Sequence, residues 1–207
     1  MIKLWGRNNS VNVQKATWCL EELKLPYERI DAGMQYGVVN TPEFRKMNPN
    51  GLVPVIEDGD TVLWESNAIV RYLAAKYGKG TLWPEDPAAR AQSDKWMDWC
   101  ATVYWPPMRT IFWGLVRTPP EKRNMQEIEA ARIKAGEVLV MLDAALADRD
   151  YIAGSQLTIG DIPLGTISWR WFGIEGLERP SRPNVEAWFK RLSQREAFKK
   201  CVLPPLN

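Results

Sequence analysis

The chain of 207 residues contains no histidine. That absence removes Ser-His and Cys-His nucleophile pairs, any imidazole general base and every imidazole metal ligand. Cysteine is nearly as scarce. Cys19, Cys100 and Cys201 are odd in number, widely separated and form no CxxC pair, which argues against a disulfide framework or a structural zinc site. A metal would need carboxylates or thiolates alone, no suitable cluster is legible, and none is expected. Neither sign of charge is in excess. The 27 Lys and Arg against 25 Asp and Glu leave a formal +2, which favours neither nucleic acid nor an anionic membrane as a partner. No apolar run approaches the ~20 residues that span a bilayer. The start, Met1-Ile2-Lys3-Leu4-Trp5-Gly6, turns polar too soon for a signal peptide, so a cytoplasmic protein is expected. An enzyme built from what remains works by positioning, hydrogen bonding and electrostatics.

The length suits two domains. Residues 2–5 alternate as a short strand, and Val13, Ala16, Leu20 and Leu23 mark one face of a helix that Pro26 ends. Tyr27 to Ile30 reads as a second strand, and a short helical piece covers Pro42 to Met47. Val53 to Ile56, Asp58-Gly59 and Thr61 to Trp64 give a hairpin signal. Ser66 then opens a helix that closes near Gly78. The order β-α-β-α-β-β-α is that of a thioredoxin-like α/β domain, over residues 1–78. Residues 79–87, rich in Gly, Pro and charge, form the linker. Residues 88–207 read as all-α, with helices over Ala88–Leu115, Pro120–Ala147, Thr158–Phe172 and Pro183–Arg191. Pro106-Pro107 is expected to break or kink the first of these. Thr158-Ile159-Gly160-Asp161 has the form of a capping box with Asp in place of Glu.

The stretch Asn48-Pro49-Asn50-Gly51-Leu52-Val53-Pro54 holds the most chemistry. Proline cannot donate to a sheet ladder, so Pro54 belongs at a strand's start, on an edge or at a bulge. There it leaves the N–H and C=O of Val53 free to pair with an extended, peptide-like ligand. Glu65-Ser66 follows at a helix start, where the positive end of the helix dipole favours a carboxylate. On residues alone the same pair is also a strand-end acid followed by a plain N-cap. The loop before the first helix, Asn8-Asn9-Ser10-Val11-Asn12, offers Ser10 and Asn12 as donors or as caps. Lys15 reads as a solvated side chain on that helix or as a source of positive potential beside the loop, and the three cysteines read as packing residues.

The Asn-Pro-x-Gly-x-Val-Pro segment, Glu-Ser at this separation, and an α/β part followed by a helical part resemble the glutathione transferase family, in particular cytosolic-type bacterial members with theta-like and Asn-bearing loops. The resemblance covers essentially the whole chain. It implies a cis bond before Pro54, Val53 main-chain atoms on the cysteinyl part of glutathione, Ser66 on its γ-glutamyl carboxylate, Glu65 facing its amine, and Lys46 near its glycyl carboxylate. It implies that Ser10 or Asn12 activates the thiol. It implies further that Tyr104, Met108, Arg109, Phe112 and Trp113 wall the site of an apolar, small-molecule electrophile. Asp98, or Asp94 one turn earlier, would reach the glutathione of the partner subunit in a homodimer. The expected activity is glutathione transfer, with glutathione as co-substrate and detoxification as the role. A glutathione-dependent peroxide or disulfide reductase and a non-catalytic glutathione-binding module are the alternatives.

Overall fold

A computed structural model of the chain describes residues 1–206. β1 (Ile2–Trp5), α1 (Val11–Glu22) and β2 (Tyr27–Ile30) form a β-α-β unit. α2 (Pro42–Met47) leads into β3 (Val55–Asp58) and β4 (Thr61–Trp64), and α3 (Ser66–Tyr77) follows. The strands pair in the order β2-β1-β3-β4; β1 and β2 run parallel and the other two pairings are antiparallel. Asp58 pairs with Thr61, so the hairpin loop is Gly59-Asp60. Gly59 has φ +62°, a backbone state that a two-residue loop of this kind demands and glycine adopts without strain.

Beyond the sheet the chain is helical: α4 (Pro87–Trp99), α5 (Trp105–Phe112), α6 (Met125–Ala145), α7 (Asp161–Gly173), α8 (Pro183–Ser193) and α9 (Glu196–Cys201). Pro106-Pro107, expected to break or kink the helix, does not break it. A π-helical turn over Cys100–Tyr104 leads directly into α5, and a second, over Trp113–Arg117, follows it. Two prolines lack two N–H donors, and the wider turn relieves the carbonyls that would have received them. α6 starts five residues later than expected, after a 3₁₀ turn at Pro120–Lys122, because Asn124 caps it by accepting from Glu127 N–H at 3.2 Å. α9, only six residues long, is too short to show a period in the sequence.

α1 is buried without interruption from Val13 to Leu20, since α3 and the sheet lie on one side and α7 and α9 on the other. The Trp18 ring meets Phe198 edge-on, with centroids 4.7 Å apart. It also lies against Gly165, where an added Cβ would come within 2.8 Å of it. At the C-terminal end of α1, Arg195 forks onto Glu22 at 2.7 and 2.6 Å, and Lys200 reaches Glu21 at 2.6 Å. These contacts fix the axis of α1, and therefore where its N-terminus sits. One continuous core includes residues of both the sheet region and the helical region.

α7 begins on a fully buried carboxylate. Asp161 accepts from Thr158 N–H (3.0 Å), Thr158 Oγ1 (3.2 Å), Ile152 N–H (2.9 Å) and Trp188 Nε1 (2.9 Å). Half of the expected capping box is present, the carboxylate returning to the Thr158 N–H. The threonine hydroxyl does not cap the helix. It donates to Asp161 and accepts from Ser93 on α4 at 2.7 Å.

Candidate functional site

The loop between α2 and β3 is shaped by Asn48 and Arg45. Buried Asn48 donates from Nδ2 to the Leu52 carbonyl (2.8 Å) and accepts at Oδ1 from Asn50 N–H (3.0 Å). Gly51 N–H returns to the Asn48 carbonyl at 3.0 Å with φ +63°, and Arg45 Nη1 holds the Pro49 carbonyl at 2.7 Å. The turn therefore satisfies itself up to Leu52. Val53 comes next, joined to buried Pro54 by a cis peptide bond. Its N–H and C=O have no hydrogen-bond partner among the described residues. The Val53 side chain packs beside the first turn of α1: a Cβ on Gly6 would meet Val13 at 2.4 Å and Val53 at 3.3 Å.

Two helices start next to this loop, and neither is capped by a side chain of its own. Ser10 is the N-cap of α1 and is 7% exposed; its hydroxyl makes no cap bond. Asn12 is not ahead of the helix, as the sequence suggested, but in its first turn. At α3 the cap position belongs to exposed Glu65, and Ser66 is the first helical residue. Glu65 holds φ +69°, an uncommon conformation for a residue with a side chain. The first three N–H groups of α3 have no partner among the described residues, so the dipole and the donors of this end remain available to an anion.

The Ser66 hydroxyl does not point outward. It donates to Asn12 Oδ1 at 3.2 Å, and Lys15 Nζ donates to the same oxygen at 3.0 Å and to Ser66 Oγ at 3.5 Å. Lys15 is 6% exposed, which corrects its reading as a surface lysine. Burial lowers its pKa from the ordinary 10.5; Cys100 and Glu65 oppose that shift, and the charge of Arg170 adds to it. A lysine ammonium can only donate, so the oxygen of the Asn12 amide must face it. The Asn12 –NH₂ is thereby turned away from Lys15, with no partner among the described residues. The sequence signal for this arrangement was present but weak: Asn12 and Lys15 are three apart and share a helix face.

The five residues expected to form one wall do not share a face. Tyr104, Met108 and Phe112 recur every four residues and are buried. Arg109 and Trp113, about 100° further round the helix, are exposed and line an outer groove with Pro106, Thr110 and Lys122. Asp94 and Asp98 are both engaged within the chain, by Arg71 Nε at 2.7 Å and Arg71 Nη2 at 2.6 Å. Lys46 is exposed. All three cysteines are free and buried. Burial pushes the Cys19 thiol well above its ordinary range, Cys100 to about 12 and Cys201 to about 11, so none supplies a thiolate at neutral pH. Among the described residues no group of three His, Cys, Asp or Glu could hold a metal ion, and no helix is long and apolar enough to cross a membrane.

Comparison with known proteins gives a consistent result. Residues 1–75 match the family model for the glutathione S-transferase N-terminal domain, and residues 104–196 the model for its C-terminal domain. The chain is 46% identical over 209 residues to glutathione S-transferase GstB of Escherichia coli K12, with 100% of both covered. It is similar to the theta class glutathione S-transferase of the citrus canker pathogen Xanthomonas axonopodis pv. citri crystallised with glutathione bound: TM-score 0.96, 47% identity, 100% of this chain and 99% of that one. Against the apo form of that protein the TM-score is 0.86. Glutathione S-transferase 3 of Zea mays is 30% identical over 217 residues, covering 99% of this chain and 96% of its own.

Proposed function

Because this chain belongs to the glutathione transferase family, we propose that it holds glutathione along the main chain of Val53 and activates its thiol at the N-terminus of α1. The carrying observation is the pair of unpartnered polar groups on Val53 beside two helix starts without side-chain caps. An extended tripeptide pairs with the Val53 N–H and C=O through its cysteinyl residue, as a strand would. Its γ-glutamyl carboxylate meets the free N–H groups of Ser66 and its successors, with Glu65 near the amine. Lys46 faces the glycyl carboxylate.

The sulfur then lies over the first turn of α1. Ser10 donates its uncommitted hydroxyl to it, and the Asn12 amide, fixed by Lys15, offers a second donor. A thiol of pKa ~8.5 is mostly protonated at neutral pH, and lowering that value by about two units takes about 2.7 kcal/mol. One charge-assisted hydrogen bond and a helix N-terminus supply that much. The buried Lys15 charge acts in the same direction. The proton leaves to solvent. The thiolate attacks the electrophilic carbon, a C–S bond forms, and the leaving group departs with its bonding pair.

On this reading residues 1–78 form the glutathione side and residues 88–207 the electrophile side. The chain works as a cytoplasmic homodimer in detoxification. Calorimetric titration with glutathione, followed by ultraviolet detection of the bound thiolate, tests the proposal. Lack of binding at millimolar glutathione would refute it.

A further inference from the structure

Two guanidinium groups share one aromatic ring in the helical half. Arg117, at the end of the second π-helical turn, and Arg170, on α7, have their Cζ atoms 5.6 and 5.5 Å from the centroid of the Phe112 ring. Arg170 is 1% exposed; its Nη1 donates to the Thr166 carbonyl at 2.9 Å, but its Nε is buried with no partner among the described residues. In the α/β half, Arg7 lies in the loop that leads to α1, and its Nε is likewise buried and unpartnered among the described residues. The Arg7 head group adjoins Val53: a Cβ built on Gly33 would meet Arg7 Nη1 at 3.2 Å and a Val53 methyl at 3.5 Å.

The electrostatics connect these groups. Burial lowers the pKa of Arg7 and of Arg170, the latter to about 9, and in both the charge of Arg117 adds to the lowering. Arg170 in turn acts on Lys15. The four cations therefore influence one another pairwise, Arg117 acting on both Arg7 and Arg170, and Arg170 on Lys15. Among the described residues none of them forms an ion pair. Glu65 reaches Lys15 only at a distance. Lys15 and Arg170 are buried and Arg7 and Arg117 half-buried; cations so withdrawn from water without acids are costly and are stabilised by an anion that enters from outside. The carboxylates of glutathione are already accounted for at α3 and Lys46.

We propose that Arg7 and Arg117, backed by Arg170, seat the second substrate by a negative charge of its own, a carboxylate or a sulfonate, next to its electrophilic carbon. This refines the glutathione-transfer reading, on which it rests, and replaces the apolar wall that the sequence suggested. Arg7 belongs to the α/β half and Arg117 to the helical half, so an anion held by both sets the electrophile against the sulfur above Ser10.

The test compares 4-chloro-3,5-dinitrobenzoate with its methyl ester, two aryl chlorides of similar shape that differ by one charge. In both, the thiolate attacks the ring carbon bearing chlorine, the C–S bond forms and chloride leaves. With kcat/KM of each divided by its uncatalysed rate with glutathione, the carboxylate should be favoured by about tenfold, the size of one charge-assisted hydrogen bond. The preference should fall toward unity in Arg117→Gln and in Arg7→Gln, and should weaken as salt is raised. An equal or higher normalised rate for the ester in the wild-type protein overturns the proposal whether or not either variant folds. So does a preference that survives both substitutions. If calorimetry detects no glutathione binding, the parent reading fails and takes this one with it. Glutathione binding without preference for the carboxylate refutes the anion seat alone.

Discussion

Lys15 is the residue whose surroundings fit its type least. Its ammonium is buried among neutral oxygens and has no acid partner among the described residues. A buried base with a lowered pKa costs stability below its folded pKa, because the folded chain resists a proton that the unfolded chain binds. The penalty is full at low pH and fades as pH rises from the folded pKa toward the unfolded value of 10.5. Lys15→Met should therefore raise stability at neutral pH by about 1 kcal/mol, about 2–4 °C in Tm for a chain of this size. The gain should shrink as pH approaches 10.5, measured by thermal unfolding across pH. Its catalytic rate should fall, since the Asn12 amide loses its anchor. Ser10→Ala should raise the pKa of bound glutathione by about one unit, the size of one hydrogen bond to a charged group, read from the pH dependence of thiolate absorbance. If the shift appears only in Asn12→Ala, the amide is the principal donor. Asn48→Ala should leave Leu52 unheld and raise the KM for glutathione more than it lowers kcat, because Asn48 orders the loop and touches no reacting atom.

At the scale of elements, the site depends on where helices begin. α1 is aimed by contacts at its middle and far end: Trp18 on Phe198 and Gly165, and Glu22 on Arg195. Gly165→Ala should push the Trp18 ring off α7 and cost about 1–3 kcal/mol, seen as a lower urea midpoint with an unchanged m-value. α7 is aimed by Asp161, whose two oxygens accept four donors. Asp161→Asn keeps the shape but turns an –NH₂ toward two of those donors. It should cost about 3 kcal/mol in the same measurement, and a variant as stable as the wild type would refute the role. The element order, the hairpin and the loop before β3 were legible because turn residues, proline and alternation act over a few positions. The continuation of the helix through Pro106-Pro107 behind a π-helical turn was not, since the choice between breaking and widening a helix depends on what packs around it.

At the scale of the molecule, the proposed glutathione site joins two helix starts and a loop that meet only in the folded state. Binding should therefore stabilise the whole chain rather than one part of it. At a concentration about 100 times its Kd, glutathione should add about 2.7 kcal/mol and raise Tm by about 5–10 °C, measured by calorimetry in one cooperative transition. A rise confined to a separate early transition would mean that the two halves unfold independently. The continuous core through both halves argues for the single transition.

The loop with Val53 and Pro54, the helix start at Ser66 and the exclusion of histidine chemistry can be read from the residues alone. Each is written in neighbouring residues or in composition. Only the fold buries Lys15, brings Ser66 and Lys15 onto one oxygen of Asn12, and sets Arg117 and Arg170 against the Phe112 ring. Burial and charge proximity depend on which distant segments pack together. A helix face can be read from its period, but what covers that face cannot.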